Sequence, residues 1–429
     1  MNISVIIPTL DNPDDVIEVV QSLNNQSFLP LEIVIADSSS NNEIHELTKS
    51  MDSKIDITYT RLGRAYKNDR LFILLKNLPI IKFFFSNIKS GRAYPYEASN
   101  RGSSIAKHDW LAFLDATTIP HEDWLKDYTQ IINSQGVEVV FGKTKYLATT
   151  YFQKILRAST YGSYGIETAP GSLMKKEDFL NGFQITEGVR SGGDVDWKNR
   201  VRNNFKYITP SKSYLTYPNL HKDIVSCAKK FFIYQMHTAV QNIAHSIKDL
   251  YLILTLLFTL ILVPKWNAIV GWEASPYFLP NITKIYFISI VLIILASIIY
   301  NRLFLLKSSE PLLRNAHKLI FFMLVTFAVY NWNNYLAGWV EGSVWYIPHI
   351  TKGFIAFLCF ASFIYRGLYF PIKHNISLNF LFPINWFLVG FLGLFLDIVK
   401  APGYLLGAIL APFIKVIRSS TTKNTQAVD

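Results

Sequence analysis

The sequence predicts an α/β domain with a mostly parallel sheet, followed by an α-helical membrane domain of several spans. Two observations carry that prediction. Up to about Lys248, short β-rich apolar runs alternate with helix-like segments, the pattern of a sheet covered by helices. After Lys248 the composition turns to long apolar runs at 250–263, 285–299, 319–330, 354–364 and 380–396. With their flanks, most of these reach the roughly 20 residues that cross a bilayer core.

The elements follow in order. Residues 3–7 are wholly apolar and read as a strand buried on both faces. Asn12 and Pro13 then offer an N-cap and a first-turn proline for a helix bearing Val16, Val20 and Leu23 on one side. Further strands are expected at 31–36, 55–60, 110–114 and 137–141. Between them, residues 61–92 carry Arg61, Arg64, Lys67, Arg70, Lys76, Lys82, Lys89 and Arg92 against the single acid Asp69. This basic amphipathic insertion reads equally as a membrane-surface binder or as a helical pair with a solvated basic face.

The expected organisation is a catalytic-type domain over 1–220 and an amphipathic interfacial helix over 221–248. A transmembrane domain of about four to six helices over 249–418 and a polar tail over 419–429 follow. The apolar opening is short, lacks a basic lead and runs into Pro8, Asp11, Asp14 and Asp15, which does not read as a secretory leader. Arg302, Lys307, Arg314 and Lys318 after the second run, and Arg366 and Lys373 after the fourth, put those loops on the cytoplasmic side with the first domain. A multi-pass protein of the plasma (inner) membrane is expected. The formal charge of +11 fits anionic lipid and an anionic substrate, and no nucleic-acid motif accompanies it. The two cysteines, Cys227 and Cys359, suggest neither a disulfide framework nor a zinc site.

Three carboxylates stand at informative places. Asp37 ends the second strand and Asp115 the fourth, while Asp194 opens a helix in Ser191-Gly-Gly-Asp194-Val-Asp196-Trp197. Strand ends of open α/β sheets are where ligands bind, and a carboxylate there suits a hard divalent cation. Singly, each reads as readily as a turn former or a helix cap.

In their order, these motifs resemble the family 2 glycosyltransferases, membrane-anchored and bacterial in type, over roughly residues 1–245. The matching stretches are Ile3-Ser-Val-Ile-Ile-Pro8-Thr9, Glu32-Ile-Val-Ile-Ala-Asp37-Ser, Glu97-Ala-Ser-Asn100-Arg-Gly102 and Phe113-Leu-Asp115-Ala116-Thr117. Pro120-His-Glu-Asp-Trp124, Gly171-Ser172-Leu-Met, Gly193-Asp194-Val-Asp196 and Pro218-Asn-Leu-His221 follow them. The resemblance implies a GT-A (Rossmann-like) fold and inverting transfer from a nucleoside diphosphate sugar. It implies donor binding by Pro8, Thr9, Asp37, Asn100, Asp115 and Ala116, with Asp194 as general base and Asp196 as the fallback. It further implies Mg²⁺ or Mn²⁺ on Asp115 and His221, with Thr117 as a further candidate ligand, and an acceptor side at Gly171, Ser172 and Trp197.

Two departures bear on the chemistry: Thr117 replaces the second acid of the metal motif, and Gly193 replaces the glutamate before Asp194. Gln-x-x-Arg-Trp, seen in processive synthases of this family, does not occur, which favours transfer of a single sugar to a lipid or lipid-linked glycan at the cytoplasmic face. The alternative is a glycosyltransferase-like membrane scaffold that has lost catalysis. An oxidoreductase fits poorly, because Pro8-Thr9-Leu10 stands where a glycine-rich turn would follow the first strand. A transporter is disfavoured by apolar runs with few charges, Asp397 being the main one.

Overall fold

A computed structural model describes residues 1–62, 93–241, 263–271, 274–300 and 359–421, with scattered single positions between 320 and 356. The insertion expected over 61–92 lies outside these residues beyond Leu62, as do nearly all of the run 250–263, most of the run 319–330 and the tail after Thr421. Contacts divide the chain into two units, residues 1–241 with 363–429, and residues 242–362.

The first unit is built on a nine-stranded sheet. The buried run Ile3–Thr9 forms β1, which pairs in parallel with β2 (Glu32–Asp37) on one side and β4 (Trp110–Phe113) on the other. β3 (Asp56–Arg61) extends the parallel part beyond β2. The rest is mixed rather than mostly parallel. β4 pairs antiparallel with β7 (Ile166–Lys175), and β7 antiparallel with β6 (Val139–Tyr146). β8 (Tyr207–Ile208) and β9 (Leu215–Tyr217) run parallel to β6, and the short β5 (Ile119–Pro120) closes antiparallel on β9. An antiparallel β6–β7 pair needs no crossover, although a helix at Tyr151–Thr160 lies in the connection, so that half of the sheet escapes the βαβ rule that governs the first half.

Helices cover both faces. α1 (Pro13–Asn24) buries Val16, Val19, Val20 and Leu23, and α2 (Glu43–Ser50) buries Ile44. With α4 (Trp124–Gln135) they complete one core around Ile3, Val5, Ile7 and Ile33. The other face of β1 and β4 packs Ile6 and Phe113 with Phe141, Phe179 and Trp197, beneath α3 (Pro95–Ile105), α6 (Lys176–Leu180) and α7 (Gly193–Asn204). β1 is continuous and apolar because both of its faces are covered. Asn12 sits at the cap position of α1, but its side chain accepts from Thr9 Oγ1 at 2.7 Å and from the Leu10 amide at 3.1 Å instead of capping the helix.

A third core joins α5 (Tyr151–Thr160) and α8 (Ile224–Gln241) to the C-terminal segment, through Ile155, Leu156, Cys227, Leu381, Val389, Leu392 and Leu396. The run 380–396, expected as a membrane span, therefore has one face packed within the first unit, on α10 (Asn385–Thr421). Glycines set the approach of these helices. A Cβ at Gly403 would stand 2.6 Å from the Phe232 carbonyl oxygen, and one at Gly407 2.1 Å from that of Met236. Small residues four apart let two helix backbones meet this closely. Arg366 makes a two-pronged ion pair with Asp397 at 2.9 and 2.8 Å, and Lys400 Nζ joins it at 3.2 Å, so Asp397 is a paired group.

In the second unit, α9 (Asn281–Tyr300) is apolar all round, and it follows a helical stretch at 263–270. Its segment Thr283–Tyr300, with mean hydropathy 2.2, is the one helix among the described residues long and apolar enough to cross a membrane.

Candidate active site

β1 has its two neighbours on opposite sides, so the chain departs in opposite directions from β1, and a crevice opens at the carboxyl ends of β1, β2 and β4. A cleft of about 240 Å³ occupies this place, lined by Pro8, Thr9, Asn12, Ser38, Asp115 and Thr117 among others. Four of the predicted donor-side residues, Pro8, Thr9, Asp115 and Ala116, line it together with Thr117.

Asp115 follows β4 in a tight turn, where its carbonyl accepts from the Thr118 amide at 3.0 Å and from Thr118 Oγ1 at 2.8 Å. Burial and the nearby Asp194 carboxylate push its carboxyl up to about 6, against the pull of Lys230. Asp194 reaches the same neighbourhood from the first turn of α7, whose N-cap Gly192 has φ +86°. Its Oδ1 accepts the Tyr96 hydroxyl of α3 at 3.1 Å. Asp115 and Asp194 thus come from separate elements to act on one another.

The departure at Gly193 has a steric cause. A Cβ there would lie 2.6 Å from Tyr96 Cε2, so the Tyr96 ring fills the space that a glutamate side chain would need. The same tyrosine supplies the hydrogen bond to Asp194.

Other predicted residues lie elsewhere. Asp37 is fully buried, with Oδ1 accepting the Ser39 amide at 2.9 Å and Oδ2 the Tyr59 hydroxyl at 2.9 Å, and Ser38 is the residue of this strand end that faces the cleft. Asn100 is buried and ties α3 to residues 185–187, donating to the Ile185 carbonyl and Glu187 and accepting from the Ile185 amide. Gly171 and Ser172 lie buried in β7, where Ser172 Oγ accepts the Gly142 amide at 2.9 Å across the β6–β7 irregularity and the Gly171 carbonyl accepts Trp124 Nε1. Trp197 is fully buried against Phe113 and Phe141, so its size serves the core instead of an acceptor. Asp196 is committed to Thr186 Oγ1 at 2.8 Å and to Arg200 Nε at 2.9 Å.

On the other side of the carboxylates, Tyr146, Tyr217 and Tyr234 gather around Lys230 of α8. Lys230 Nζ lies 3.5 Å from Tyr217 Oη, and 5.3 and 5.4 Å from the ring centres of Tyr217 and Tyr234. Tyr146 faces Tyr217 across the β6–β9 pairing. His221 follows β9, and its Nε2 is buried without a hydrogen-bond partner among the described residues. Burial and Lys230 hold His221 below the usual imidazole range. The Lys230 cluster was not legible in the sequence, because only the close packing of α8 brings it to the strand ends.

The resemblance implies a divalent cation on Asp115 and His221, with Thr117 as a further candidate ligand. Among the described residues no three His, Cys, Asp or Glu side chains gather to hold a metal ion. Asp115 contributes one anionic ligand, His221 a buried Nε2 and Thr117 a hydroxyl, both neutral donors at most, and Lys230 brings a like charge close by. These residues do not make up a protein-built divalent site.

Residues 1–186 match the family model for glycosyltransferase like family 2. The chain is 24% identical over 213 residues to glycosyltransferase AglE of Haloferax volcanii, covering 46% of this chain and 60% of AglE. It is 21% identical over 203 residues to a chondroitin synthase of Escherichia coli, covering 46% of this chain and 24% of that protein. Among solved structures it is similar to S. aureus TarS in complex with UDP-GlcNAc, at 17% identity and a TM-score of 0.39, covering 70% of this chain and 87% of that one. The matched region thus spans less than two thirds of either curated relative. The similarity to family 2 glycosyltransferases thus lies in the N-terminal part of the chain.

Proposed function

We propose that the protein is a membrane-bound inverting glycosyltransferase that moves one sugar from a nucleoside diphosphate sugar to a lipid or lipid-linked glycan at the cytoplasmic face. The observation that carries this reading is the meeting of Asp115, at the end of β4, with Asp194, at the start of α7, beside a cleft at the switch point of the sheet. The nucleotide lies along the ends of β1 and β2 against Pro8, Thr9 and Ser38, with Asp37 holding Ser39 and Tyr59 in place behind them. Its diphosphate lies toward Asp115 and Thr117.

The acceptor hydroxyl attacks the anomeric carbon from the Asp194 side. As the new carbon–oxygen bond forms, the bond to the diphosphate breaks, the configuration inverts, and the acceptor proton passes to Asp194. General-base help of this kind contributes about 10²–10⁴-fold. Tyr96 orients the base through its hydroxyl. No step is assigned to a divalent cation, since the residues present supply too few anionic ligands for one.

Membrane attachment rests on the apolar helix Thr283–Tyr300 and on the further apolar runs of the sequence, with the basic residues around them drawn to anionic lipid. An active site held at the bilayer suits an acceptor that is itself held there.

The direct test is a thermal-shift screen of the full chain in detergent against UDP-, GDP-, dTDP- and CDP-sugars, with and without Mn²⁺. One nucleotide class should raise the melting temperature. No shift with any of them would reject the reading.

A further inference from the structure

Some buried or half-buried cations of the first unit sit beside a carboxylate, whereas Lys230, like Arg157, does not. Lys198 lies 3.8 Å from Glu167, and Lys400 lies 3.2 Å from Asp397. Lys230 has no carboxylate within 4.0 Å among the described residues, and its nearest polar partner is a tyrosine hydroxyl at 3.5 Å. Two ring faces at 5.3 and 5.4 Å offset part of its lost hydration. A partly desolvated ammonium without a counter-ion is costly, and an arriving anion would recover that cost.

The charge count of the site points the same way. Family members with two acids in this motif hold a dication there. Replacing the second acid by Thr117, and dispensing with the dication, removes one negative and two positive charges. The net loss is a single positive charge, which one ammonium restores. Lys230 also acts on Asp115, toward which the diphosphate lies in the proposed reaction, and on His221. Its position is firm, because Gly403 and Gly407 seat α10 against the Phe232 and Met236 carbonyls, within the next two turns of the same helix.

Resting on the function proposed above, we infer that Lys230 is the cation that binds the donor's diphosphate, in the role that a metal ion and the second acid fill elsewhere in the family. The ligand chemistry is a nucleoside diphosphate. Binding therefore withstands a chelator, and the charge of Lys230 meets the developing charge on the leaving group without a metal.

The test is calorimetry on the full chain in detergent, titrating UDP, GDP, dTDP and CDP and their nucleosides, in EDTA and then in Mn²⁺. We expect one diphosphate to bind in EDTA, more tightly than its nucleoside. Lys230→Gln should weaken that diphosphate roughly tenfold or more, as loss of a charge-assisted contact does. The same variant should leave the nucleoside affinity unchanged, which also reports that it is folded, and Lys230→Arg should keep most of the diphosphate affinity.

Undiminished diphosphate binding by Lys230→Gln in EDTA would overturn the inference, as would wild-type binding that appears only with Mn²⁺. Loss of sedimentation with phosphatidylglycerol vesicles, with diphosphate affinity intact, would reassign Lys230 to lipid headgroups and overturn it too. Failure of all four diphosphates to bind under either condition would instead reject the glycosyltransferase reading on which the inference rests.

Discussion

The Tyr96 hydroxyl donates to the Asp194 carboxylate at 3.1 Å, and its ring lies where a side chain at position 193 would begin. One residue of α3 thus explains both the orientation of the proposed base and the glycine before it. Gly193→Ala should force the Tyr96 ring aside and cost about 1–3 kcal/mol, as overpacking does. Thermal unfolding of Gly193→Ala, Tyr96→Ala and the double variant tests this. The double variant should be more stable than the sum of the two single losses, with a coupling of about 0.5–3 kcal/mol. Strict additivity would mean that the two positions do not share that space.

Asp115 gives a pH signature. Its carboxyl is raised to about 6 by burial and by Asp194, above its ordinary value of 3.8. Between those values the folded protein holds a proton that the unfolded chain releases, so this group's contribution to stability falls as pH rises from about 4 to about 6. Asp115→Asn should therefore gain stability relative to wild type above pH 6, on the order of 2 kcal/mol, and gain nothing near pH 4. Donor binding should be weakened by the same change. An Asn variant less stable than wild type at pH 8 would contradict the assignment.

Arg366 and Asp397 bind the C-terminal helix to the segment before it, and Arg366 Nη1 also reaches the Ser159 carbonyl of α5 at 3.4 Å. Asp397→Ala leaves a guanidinium partly buried without its counter-ion. The expected cost is roughly 1–3 kcal/mol, below that of a fully buried pair because both groups retain some exposure. Chemical denaturation of the detergent-solubilised protein measures it. An unchanged midpoint would remove Asp397 from the packing of the first unit.

Gly407 tests the seating of α8. Gly407→Val places carbon atoms on the Met236 carbonyl and should separate α10 from α8. Because α8 carries Lys230, nucleoside diphosphate affinity should fall with this distant change, and Gly407→Ala should show a smaller loss. Wild-type affinity in the Val variant would mean that the glycine contact does not hold Lys230 in place.

The parts of the fold that follow local rules were legible in the sequence. The apolar run of β1 and the carboxylates after β2 and β4 mark the strand ends, and Asp194 follows glycines at a helix start. What escaped depends on distant packing. The antiparallel β6–β7 reversal carries no local signal that separates it from a crossover. The run 380–396 is apolar enough to read as a lipid-facing span, and only its contacts with Ile155 and Leu156 show the protein-facing side. Trp197 looked like an acceptor contact by its place in a motif, whereas its ring completes the core beside Phe113 and Phe141. Lys230 stood among several lysines of one amphipathic segment, and nothing in that segment singles it out.

In the proposed reaction Asp194 takes the acceptor's proton beside a donor held at Asp115. Single-turnover transfer of labelled sugar from the donor identified by thermal shift, into the lipid fraction of the membranes, tests it most directly with Asp194→Asn. The expected rate is about 10²–10⁴-fold below wild type with donor affinity unchanged. Transfer by the Asn variant at the wild-type rate would contradict it.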